Sequence, residues 1–413
     1  MILRARVIVP VNRRPIANGA VEIRRGRITK VAAWRDFSAT RNNQIYDLGD
    51  VALMPGLVNA HCHLEYTDLA GELLAPKLFS DWLKLIVAAK RLRTQSDYAV
   101  SWERGAAMLL RTGTTTVADI AAMPRLLPSV WKRTPLRVIS LLEMIGLNDR
   151  RPPRHLLNQA RTKIRSLPIG HCRAGLSPHA PYSTTPGLLR HAAQTARRHR
   201  WLVTTHVAES SEEFEMFNSA GGKLFHWLRA QRDCSDCGHV TPVQAVANAG
   251  LLSHLFLAVH ANCLTPDDIQ LLARKKSSVV HCPRSHSFFS HPRFSYKALA
   301  AAGVNVCLGT DSLASIEAGR KQRLELDMFA EMRAFARKNS DTLPGVILQL
   351  ATRNGAQALG LKGRVGEIAP GAFADLIALP CREKLADIYD AILHHRGEVA
   401  ASLIAGRWAI APR

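Results

Sequence analysis

Short apolar stretches alternate with amphipathic stretches through the middle of the 413-residue chain. Residues 81–93 carry apolar side chains at helical spacing, which predicts an amphipathic helix; these are Trp82, Leu85, Ile86 and Ala89. Eight other stretches have the length and composition of buried strands: 56–63, 114–120, 136–144, 172–180, 201–209, 255–262, 277–283 and 304–312. Eight strands that alternate with helices over about 300 residues predict a (β/α)₈ TIM-like barrel.

The two ends of the chain have a different pattern. Residues 1–52 alternate apolar and polar positions around Gly-centred turns, which is typical of hairpins. Residues 363–413 have the same character. We therefore predict a small β-sandwich domain assembled from both termini, with the barrel at 53–362 between its two parts.

The overall composition is that of a globular protein. Hydrophobic residues make up 47% of the chain and charged residues 21%. No apolar run approaches the roughly 20 residues of a membrane span. The N-terminal segment lacks the small-residue cleavage site of a secretory signal. These features predict a cytoplasmic protein without a membrane partner.

The chain carries a formal net charge of +22, which raises the question of a nucleic-acid ligand. The basic clusters, however, are dispersed, and no familiar nucleic-acid motif surrounds any of them: 25–28, 90–93, 197–200 and 274–276. We expect non-specific adhesion to polyanions and no specific nucleic-acid partner. The sequence leaves a homodimer open.

The eight cysteines show no disulfide framework, and several lie in apolar strands, as expected for reduced thiols. Cys234 and Cys237, with His239 nearby, resemble half of a zinc knuckle. No second CxxC completes four ligands, so the sequence does not predict a structural metal site there.

The stretch PGLVNAHCHLEYTDLAG at 55–71 places two histidines one residue apart, with a carboxylate two residues further on. Side chains in a strand alternate between its faces, so His61, His63 and Glu65 would point the same way. Two imidazoles on one strand face can converge on a single ion. An HxH pair alone does not establish a site, and partners are needed elsewhere in the chain.

Most of the predicted barrel strands end in a polar residue of catalytic type. The active sites of barrels form at the C-terminal ends of the strands, so these side chains would converge on one mouth. They are His61, His63, Asp119, Glu143, His179, His206, His260, His281 and Asp311.

Six motifs carry a family resemblance: PGLVNAHCHLE, SPHAPYS, THVAES, AVHANCL, HCPRSH and GTDSLAS. In order and context they resemble the amidohydrolase superfamily, in particular its mononuclear-metal aminohydrolases. These include the S-adenosylhomocysteine, methylthioadenosine and aminodeoxyfutalosine deaminases and the triazine chlorohydrolases. The resemblance implies one divalent ion, with Zn²⁺ the first candidate and Fe²⁺ the alternative, bound by His61, His63, His206 and Asp311. No lysine stands at the bridging position near 172–180, which argues against a binuclear centre.

The resemblance also implies catalytic roles. Glu209 would be an acid/base that delivers a proton to a ring nitrogen; the alternative is a carboxylate in the first turn of a helix. His260 would polarise the water or hold the departing group, and Asp311 would act as a base as well as a ligand. His179 would contact the substrate, with a buried structural histidine as the alternative.

The walls of the substrate pocket are less well defined. Glu65 and Trp82 are candidate substrate contacts; the alternatives are a solvated carboxylate and helix-to-barrel packing. The chain has His286 and Ile316 where related sequences often carry Asn, and this leaves the pocket shape and the role of His281 open.

The function predicted for the chain is hydrolytic deamination of a small-molecule aminated heterocycle, a 6-aminopurine nucleoside derivative such as aminodeoxyfutalosine. Residues 79–83, FSDWL, resemble that type, and the segment that follows lacks the ribose-binding glutamate of the adenosylhomocysteine type. The alternative within enzymes is a chlorohydrolase or aminohydrolase of a triazine or another small ring. The alternative of another class is a metal-free scaffold or polyanion-binding protein.

Overall fold

The computed structural model describes residues 1–37, 44–147, 152–168, 170–317 and 324–412. Within these residues the chain forms sixteen strands: β1 Ile2–Ile8, β2 Ile16–Arg24, β3 Arg27–Ala33, β4 Ile45–Asp47, β5 Val51–Pro55, β6 Leu57–Cys62, β7 Thr114–Ala121, β8 Arg137–Met144, β9 Arg173–Pro178, β10 Val203–Val207, β11 Phe256–His260, β12 Ser278–His281, β13 Val306–Leu308, β14 Leu376–Pro380, β15 Ala401–Ile404 and β16 Arg407–Ile410. The α-helices of the same residues are α1 Phe79–Arg91, α2 Gln95–Arg111, α3 Leu127–Val130, α4 Pro153–Ser166, α5 Pro186–His199, α6 Ser211–Ser219, α7 Gly222–Leu228, α8 Pro242–Asn248, α9 Pro266–Arg274, α10 Pro283–Phe288, α11 Tyr296–Ala301, α12 Met328–Lys338, α13 Pro344–Leu350, α14 Arg353–Ala358 and α15 Ile388–His394.

Strands β6 to β13 form a parallel sheet in chain order, and this sheet is the predicted barrel. A bridge between Cys62 and Asp311 joins its first and last strands. Each of the eight barrel strands falls on one of the eight stretches predicted from the apolar pattern, and α1 covers most of the predicted helix. The prediction of the barrel is therefore confirmed.

The remaining eight strands form a second sheet built from both ends of the chain. Its central strand β5 pairs parallel with β1 and antiparallel with β14, and so joins the N-terminal strands to the C-terminal ones. Strand β5 continues this sheet to Pro55, so the predicted boundary between 52 and 53 falls within a strand.

The barrel strands are buried on both faces, which is why they appear as continuous apolar runs. Val117, Val138 and Val203 belong to one hydrophobic cluster with Leu109 of α2 and Leu189 of α5, and therefore face the outer helices. Alternate strand residues form a separate cluster on the opposite face, among them Ala118, Ile139, Leu257 and Val280. Across the described ranges, no helix is both long enough and apolar enough to cross a bilayer.

Candidate metal centre and active site

Three histidines from two strand ends meet at the mouth of the barrel. His61 and His63 come from the end of β6, and His206 comes from β10. The Nε2 atoms of His63 and His206 lie 3.3 Å apart, and the ring of His61 stands edge-on to both. One ligand atom from each of the three lies within 4.8 Å of the others. This spacing allows all three imidazoles to bind one ion.

The hydrogen bonding of these histidines fits a metal. His61 has no hydrogen-bond partner at either ring nitrogen within the described chain, although it is buried. The Nδ1 atom of His206 donates to the carbonyl oxygen of His179 at 2.8 Å, which leaves its Nε2 atom without a proton and free to bind. Burial and the neighbouring histidines hold the pKa of His206 at about 3, so the ring is neutral, as a ligand must be.

Asp311 supplies the carboxylate of the cluster. Its Oδ1 atom lies 3.5 Å from Nε2 of His61 and 3.6 Å from Nε2 of His63. Its Oδ2 atom accepts hydrogen bonds from the hydroxyls of Ser285 at 2.7 Å and Ser315 at 2.8 Å. The two serines thus fix the carboxylate with one oxygen turned toward the imidazoles.

A close approach between the last and first barrel strands brings Asp311 to the histidines. The backbone N–H groups of Thr310 and Asp311 both donate to the carbonyl oxygen of His61. A Cβ atom at Gly309 would lie 2.8 Å from that same oxygen, closer than real Cβ contacts, so this position requires glycine. Gly309, the glycine of the GTDSLAS motif, is therefore required by the close packing of the two strands, and it also lies beside the site.

The backbone is left-handed at two of the site residues. His260, at the end of β11, has φ of 69°, and Asp311 has φ of 54°. Residues other than glycine adopt this conformation at a cost on the order of 1–3 kcal/mol, and such residues concentrate at functional sites. The turns direct both side chains into the mouth, where His61, His260 and Asp311 form a second group of converging ligand atoms.

Glu209 pairs with His260. Its Oε1 atom lies 3.4 Å from Nε2 of His260, and its side chain is only 7% exposed. Burial, together with the charges of Asp311 and Glu213, raises the pKa of Glu209 well above its ordinary value. Helix α6 begins at Ser211, so Glu209 precedes the helix; Glu213 caps this start by accepting the N–H of Glu209 at 2.8 Å. The position of Glu209 therefore differs from that of a first-turn carboxylate.

Two of the predicted substrate contacts lie in the cavity above the cluster. His179 lines it together with Trp82, His63, His206 and Glu209. The Nδ1 atom of His179 lies 2.6 Å from the hydroxyl of Ser183, while its Nε2 atom faces Glu143. Trp82 also contacts the ring of Phe289 edge-on, so it serves both packing and the cavity wall.

The third predicted substrate contact lies elsewhere. Strand β6 ends at Cys62 and a 3₁₀ helix, Leu64–Leu69, follows, so the alternation of a strand does not continue to Glu65. The carboxylate of Glu65 accepts the N–H groups of Ala122 and Met123 and is not among the cavity-lining residues. In the structure it orders the loop after β7.

Two other strand-end residues also point away from the cavity. Asp119 accepts hydrogen bonds from the N–H of Leu64 and the indole of Trp102, and burial raises its pKa to about 6. His281 stacks on Phe294 with ring centroids 3.9 Å apart, and His286 contacts the carbonyl oxygen of Pro292. These residues belong to the packing around the barrel mouth.

Cys234 and Cys237 belong to neither group of candidate metal ligands among the described residues. Both of these groups lie at the barrel mouth. The guanidinium of Arg232 lies against both sulfur atoms and pairs with Asp236 at 2.8 Å. Burial, with Asp236 nearby, raises the pKa of Cys237 to about 12, so the thiol stays protonated.

Sequence reasoning missed several residues that support the site. Ser285 and Ser315 lie inside the recognised motifs HCPRSH and GTDSLAS, yet nothing in their spacing says that they share one carboxylate. Glu213 stands four residues after Glu209, and this helix-start position could have indicated a cap. Lys90 also lines the cavity without a prediction from the sequence, whereas Glu143 is among the strand-end residues predicted at the mouth but has no predicted role.

Comparison with known proteins agrees with this geometry. Residues 52–408 match the Amidohydrolase family. The chain is 32% identical over 397 residues to the 5-methylthioadenosine/S-adenosylhomocysteine deaminase of Moorella thermoacetica, covering 93% of this chain and 86% of that protein. It is 31% identical over 321 residues to the aminodeoxyfutalosine deaminase of Deinococcus radiodurans, covering 75% and 73%.

A solved structure shows the same fold. The aminofutalosine deaminase of Helicobacter pylori, in complex with methylthio-coformycin, superposes with a TM-score of 0.87 at 21% identity. The superposition covers 98% of this chain and 99% of that one. The resemblance read from the six motifs is confirmed, and the chain belongs to the amidohydrolase family.

Proposed function

We propose that this protein is a metal-dependent hydrolase that deaminates an adenine nucleoside derivative. The observation that carries the proposal is that a group of candidate metal ligands and an acid/base pair lie at the same cavity. Buried imidazole nitrogens of His61, His63 and His206 converge with the Asp311 carboxylate. Beside them, Glu209 and His260 form a close acid/base pair.

The donor set fits a single divalent ion. His61, His63, His206 and Asp311 would hold it, and three imidazoles with one carboxylate suit Zn²⁺, with Fe²⁺ as the alternative. When bound, such an ion supplies Lewis-acid activation of water, the nucleophile of the hydrolysis. His260 shares the second group of ligand atoms with His61 and Asp311, so it would lie close to the water that such an ion activates.

The protein's own residues would move the protons. Deamination adds water to the ring carbon that bears the amino group, protonates the adjacent ring nitrogen and releases ammonia. Burial and the neighbouring carboxylates raise the pKa of Glu209, which favours the protonated form that a donor to the ring nitrogen needs. Asp311 would accept the proton that the water loses, and His260, 3.4 Å from Glu209, would stabilise the group that forms at the attacked carbon.

The relatives support an adenine nucleoside as the substrate. The relatives from Moorella and Deinococcus are named as deaminases of such compounds. The cavity wall beyond the cluster is mostly apolar and aromatic, as a nucleoside with a bulky 5′ group requires; it includes Trp82, Leu83, Ile86, Ile145, Leu147 and Trp227. Aminodeoxyfutalosine, the compound predicted from the sequence, is the first candidate, followed by 5′-methylthioadenosine.

The test is ammonia release by metal-loaded protein. Adenosine, 5′-methylthioadenosine, S-adenosylhomocysteine, aminodeoxyfutalosine, guanine and a chlorinated triazine should be assayed side by side. We expect deamination of at least one adenine nucleoside and little turnover of the triazine. Failure on every adenine nucleoside by protein that holds stoichiometric metal would overturn the proposal.

A further inference from the structure

Glu143 and Lys90 form a polar pair in the wall of the cavity. Glu143 lies near the C-terminal end of β8, and Lys90 lies in the last turn of α1. Both line the same cavity as His179 and Glu209. The side chain of Glu143 is 6% exposed and that of Lys90 is 25% exposed. The acid/base scheme proposed above uses neither residue.

The carboxylate of Glu143 has acceptor capacity to spare. Its Oε2 atom lies 3.7 Å from Nζ of Lys90, and its Oε1 atom lies 4.0 Å from Nε2 of His179. Both separations exceed a hydrogen bond, and none of the described residues donates one to this carboxylate. Burying a charged acceptor without donors is costly, so such a group needs an explanation.

Glu65 is a carboxylate near the barrel mouth whose hydrogen bonds come from the fold itself, and it can be compared with Glu143. Glu65 is buried, and two backbone N–H groups, those of Ala122 and Met123, donate to its carboxylate. Its acceptors are used by the fold. Glu143 lines the cavity, and none of the described residues donates a hydrogen bond to its acceptors.

The position of Glu143 relative to the cluster indicates which part of a ligand it would meet. The ring of His179 lies 4.8 Å from that of His206, measured between centroids, and its Nε2 atom lies 4.0 Å from Oε1 of Glu143. A substrate whose reacting ring lies against the cluster would therefore extend past His179 to Glu143. Apolar side chains, Trp82 and Ile145 among them, form much of the surrounding wall.

The ammonium of Lys90 is held close to the carboxylate of Glu143 by a second contact. The ammonium lies over the ring of Tyr66, 4.8 Å from the centroid, as well as near the carboxylate. The cation–π contact limits the freedom of this long side chain. The positive charge offsets the cost of burying Glu143 in its ionised form.

We propose, resting on the deaminase function above, that Glu143 binds the sugar hydroxyls of the nucleoside and that Lys90 positions it. A carboxylate can accept hydrogen bonds from two neighbouring hydroxyls at once, so the ligand group is a vicinal diol. The substrate class is then a ribonucleoside with both hydroxyls free, and a nucleoside without them binds poorly.

The test compares two substrates in two variants. Wild-type protein, Glu143→Gln and Lys90→Met are loaded with Zn²⁺ and assayed on adenosine and on 2′,3′-dideoxyadenosine, which lacks both hydroxyls. Glu143→Gln should lower kcat/KM for adenosine by roughly tenfold to a hundredfold, the size of a lost charge-assisted hydrogen bond. The same change should leave kcat/KM for the dideoxy compound within about threefold of wild type, because that compound never made the bond.

Lys90→Met separates positioning from a merely structural role. It should raise KM for adenosine with kcat nearly unchanged, and it should leave both constants for the dideoxy compound unchanged. Glu103→Gln, an exposed glutamate of α2 that pairs with Arg133, is the matched control and should behave as wild type on both compounds.

An equal loss on both substrates in Glu143→Gln, or no loss on adenosine, would overturn the assignment of the diol. Equal kcat/KM of wild-type protein on the two compounds would do the same. Absence of turnover of both compounds, and of every other adenine nucleoside, by metal-loaded wild type would instead remove the proposed function on which the inference rests.

Discussion

Strand β8 has a buried charged side chain near each end, and the two differ in how they are paired. Near its start, the guanidinium of Arg137 donates to both oxygens of Asp375, at 3.0 and 3.3 Å, and the N–H of Ala405 donates to the same carboxylate. Near its other end, Glu143 has its nearest charged neighbour, Lys90, at 3.7 Å. The Arg137–Asp375 pair is hydrogen-bonded within the fold, and the Lys90–Glu143 pair is not.

This difference distinguishes buried polar residues that stabilise the barrel from those that are candidates for binding a ligand. At the N-terminal end, the Arg137–Asp375 pair joins β8 to the segment before β14, so it ties the barrel to the small sheet. At the C-terminal ends of the barrel strands, the buried ring nitrogens of His61 have no hydrogen-bond partner among the described residues, and the carboxylate of Glu143 has only Lys90 as a charged neighbour at 3.7 Å. Buried polar groups without partners in the protein are expected where a ligand completes them.

We expect the largest effect from the loss of a proposed metal ligand at the C-terminal ends of the barrel strands. His206→Ala removes one of the four proposed ligands, which leaves two imidazoles and one carboxylate and weakens the binding of the ion. Most of the bound metal should be lost, and activity should fall by more than the roughly 10²–10⁴-fold of a single lost proton-transfer group. Metal analysis and kinetics on one preparation check this, with His155→Ala on exposed α4 as the control. Stoichiometric metal with normal turnover would refute the ligand assignment.

The next effect separates proton transfer from metal binding. Glu209→Gln keeps the shape and hydrogen-bonding capacity of the side chain but cannot donate a carboxylic proton. We expect kcat to fall by roughly 10²–10⁴-fold with metal content close to wild type. Glu215→Gln, on the exposed face of α6, should change neither quantity. Loss of metal would make Glu209 a ligand, and an unchanged kcat would leave it without a catalytic role.

A substitution that breaks the Arg137–Asp375 pair near the start of β8 should change the stability of the protein and leave its activity unchanged. Asp375→Ala leaves the guanidinium of Arg137 buried without its partner, which should lower the free energy of unfolding by about 3–5 kcal/mol. The folded fraction should keep its metal and its kcat. Asp47→Ala, which breaks an exposed pair with Arg4, should cost less than about 1 kcal/mol. If both variants proved equally stable, the Arg137–Asp375 pair would not hold the fold together.

The smallest effect concerns the support of the cluster. Ser315→Ala removes one of the two hydroxyls that fix the carboxylate of Asp311. Partners of metal ligands contribute roughly 10–100-fold to metal affinity, so we expect a loss in that range with normal kcat at saturating Zn²⁺. Competition with a chelator measures the affinity, and Ser166→Ala at the end of α4 serves as the control. An unchanged affinity would mean that Ser285 alone fixes Asp311.

The barrel could be predicted from the sequence because its strands are buried on both faces. Val117, Val138 and Val203 face the helices while Ala118, Ile139 and Leu257 face the interior, so each strand is an unbroken apolar run. The polar residues that interrupt these runs at their C-terminal ends identified the cluster. Its common location followed from the barrel topology.

The sequence could not show which polar strand-end residues turn away from the cavity. Strand alternation predicts that Glu65 lies on the ligand face, but a 3₁₀ helix follows Cys62 and the carboxylate accepts the N–H of Met123. Ser315 shares one oxygen of Asp311 with Ser285, which lies in a different motif, and the nearest charged neighbour of Glu143 is Lys90 on a different element. No local pattern records either contact. Tertiary contacts decide these roles.

The most direct test of the central claim is a titration of metal-free protein with Zn²⁺, followed by the rate of ammonia release from an adenine nucleoside. We expect no measurable rate without metal and a linear rise that ends at one ion per chain, because the two groups of candidate ligands share His61 and therefore form one proposed site. Full activity in the metal-free protein, or a rise that continues to two ions per chain, would contradict this claim.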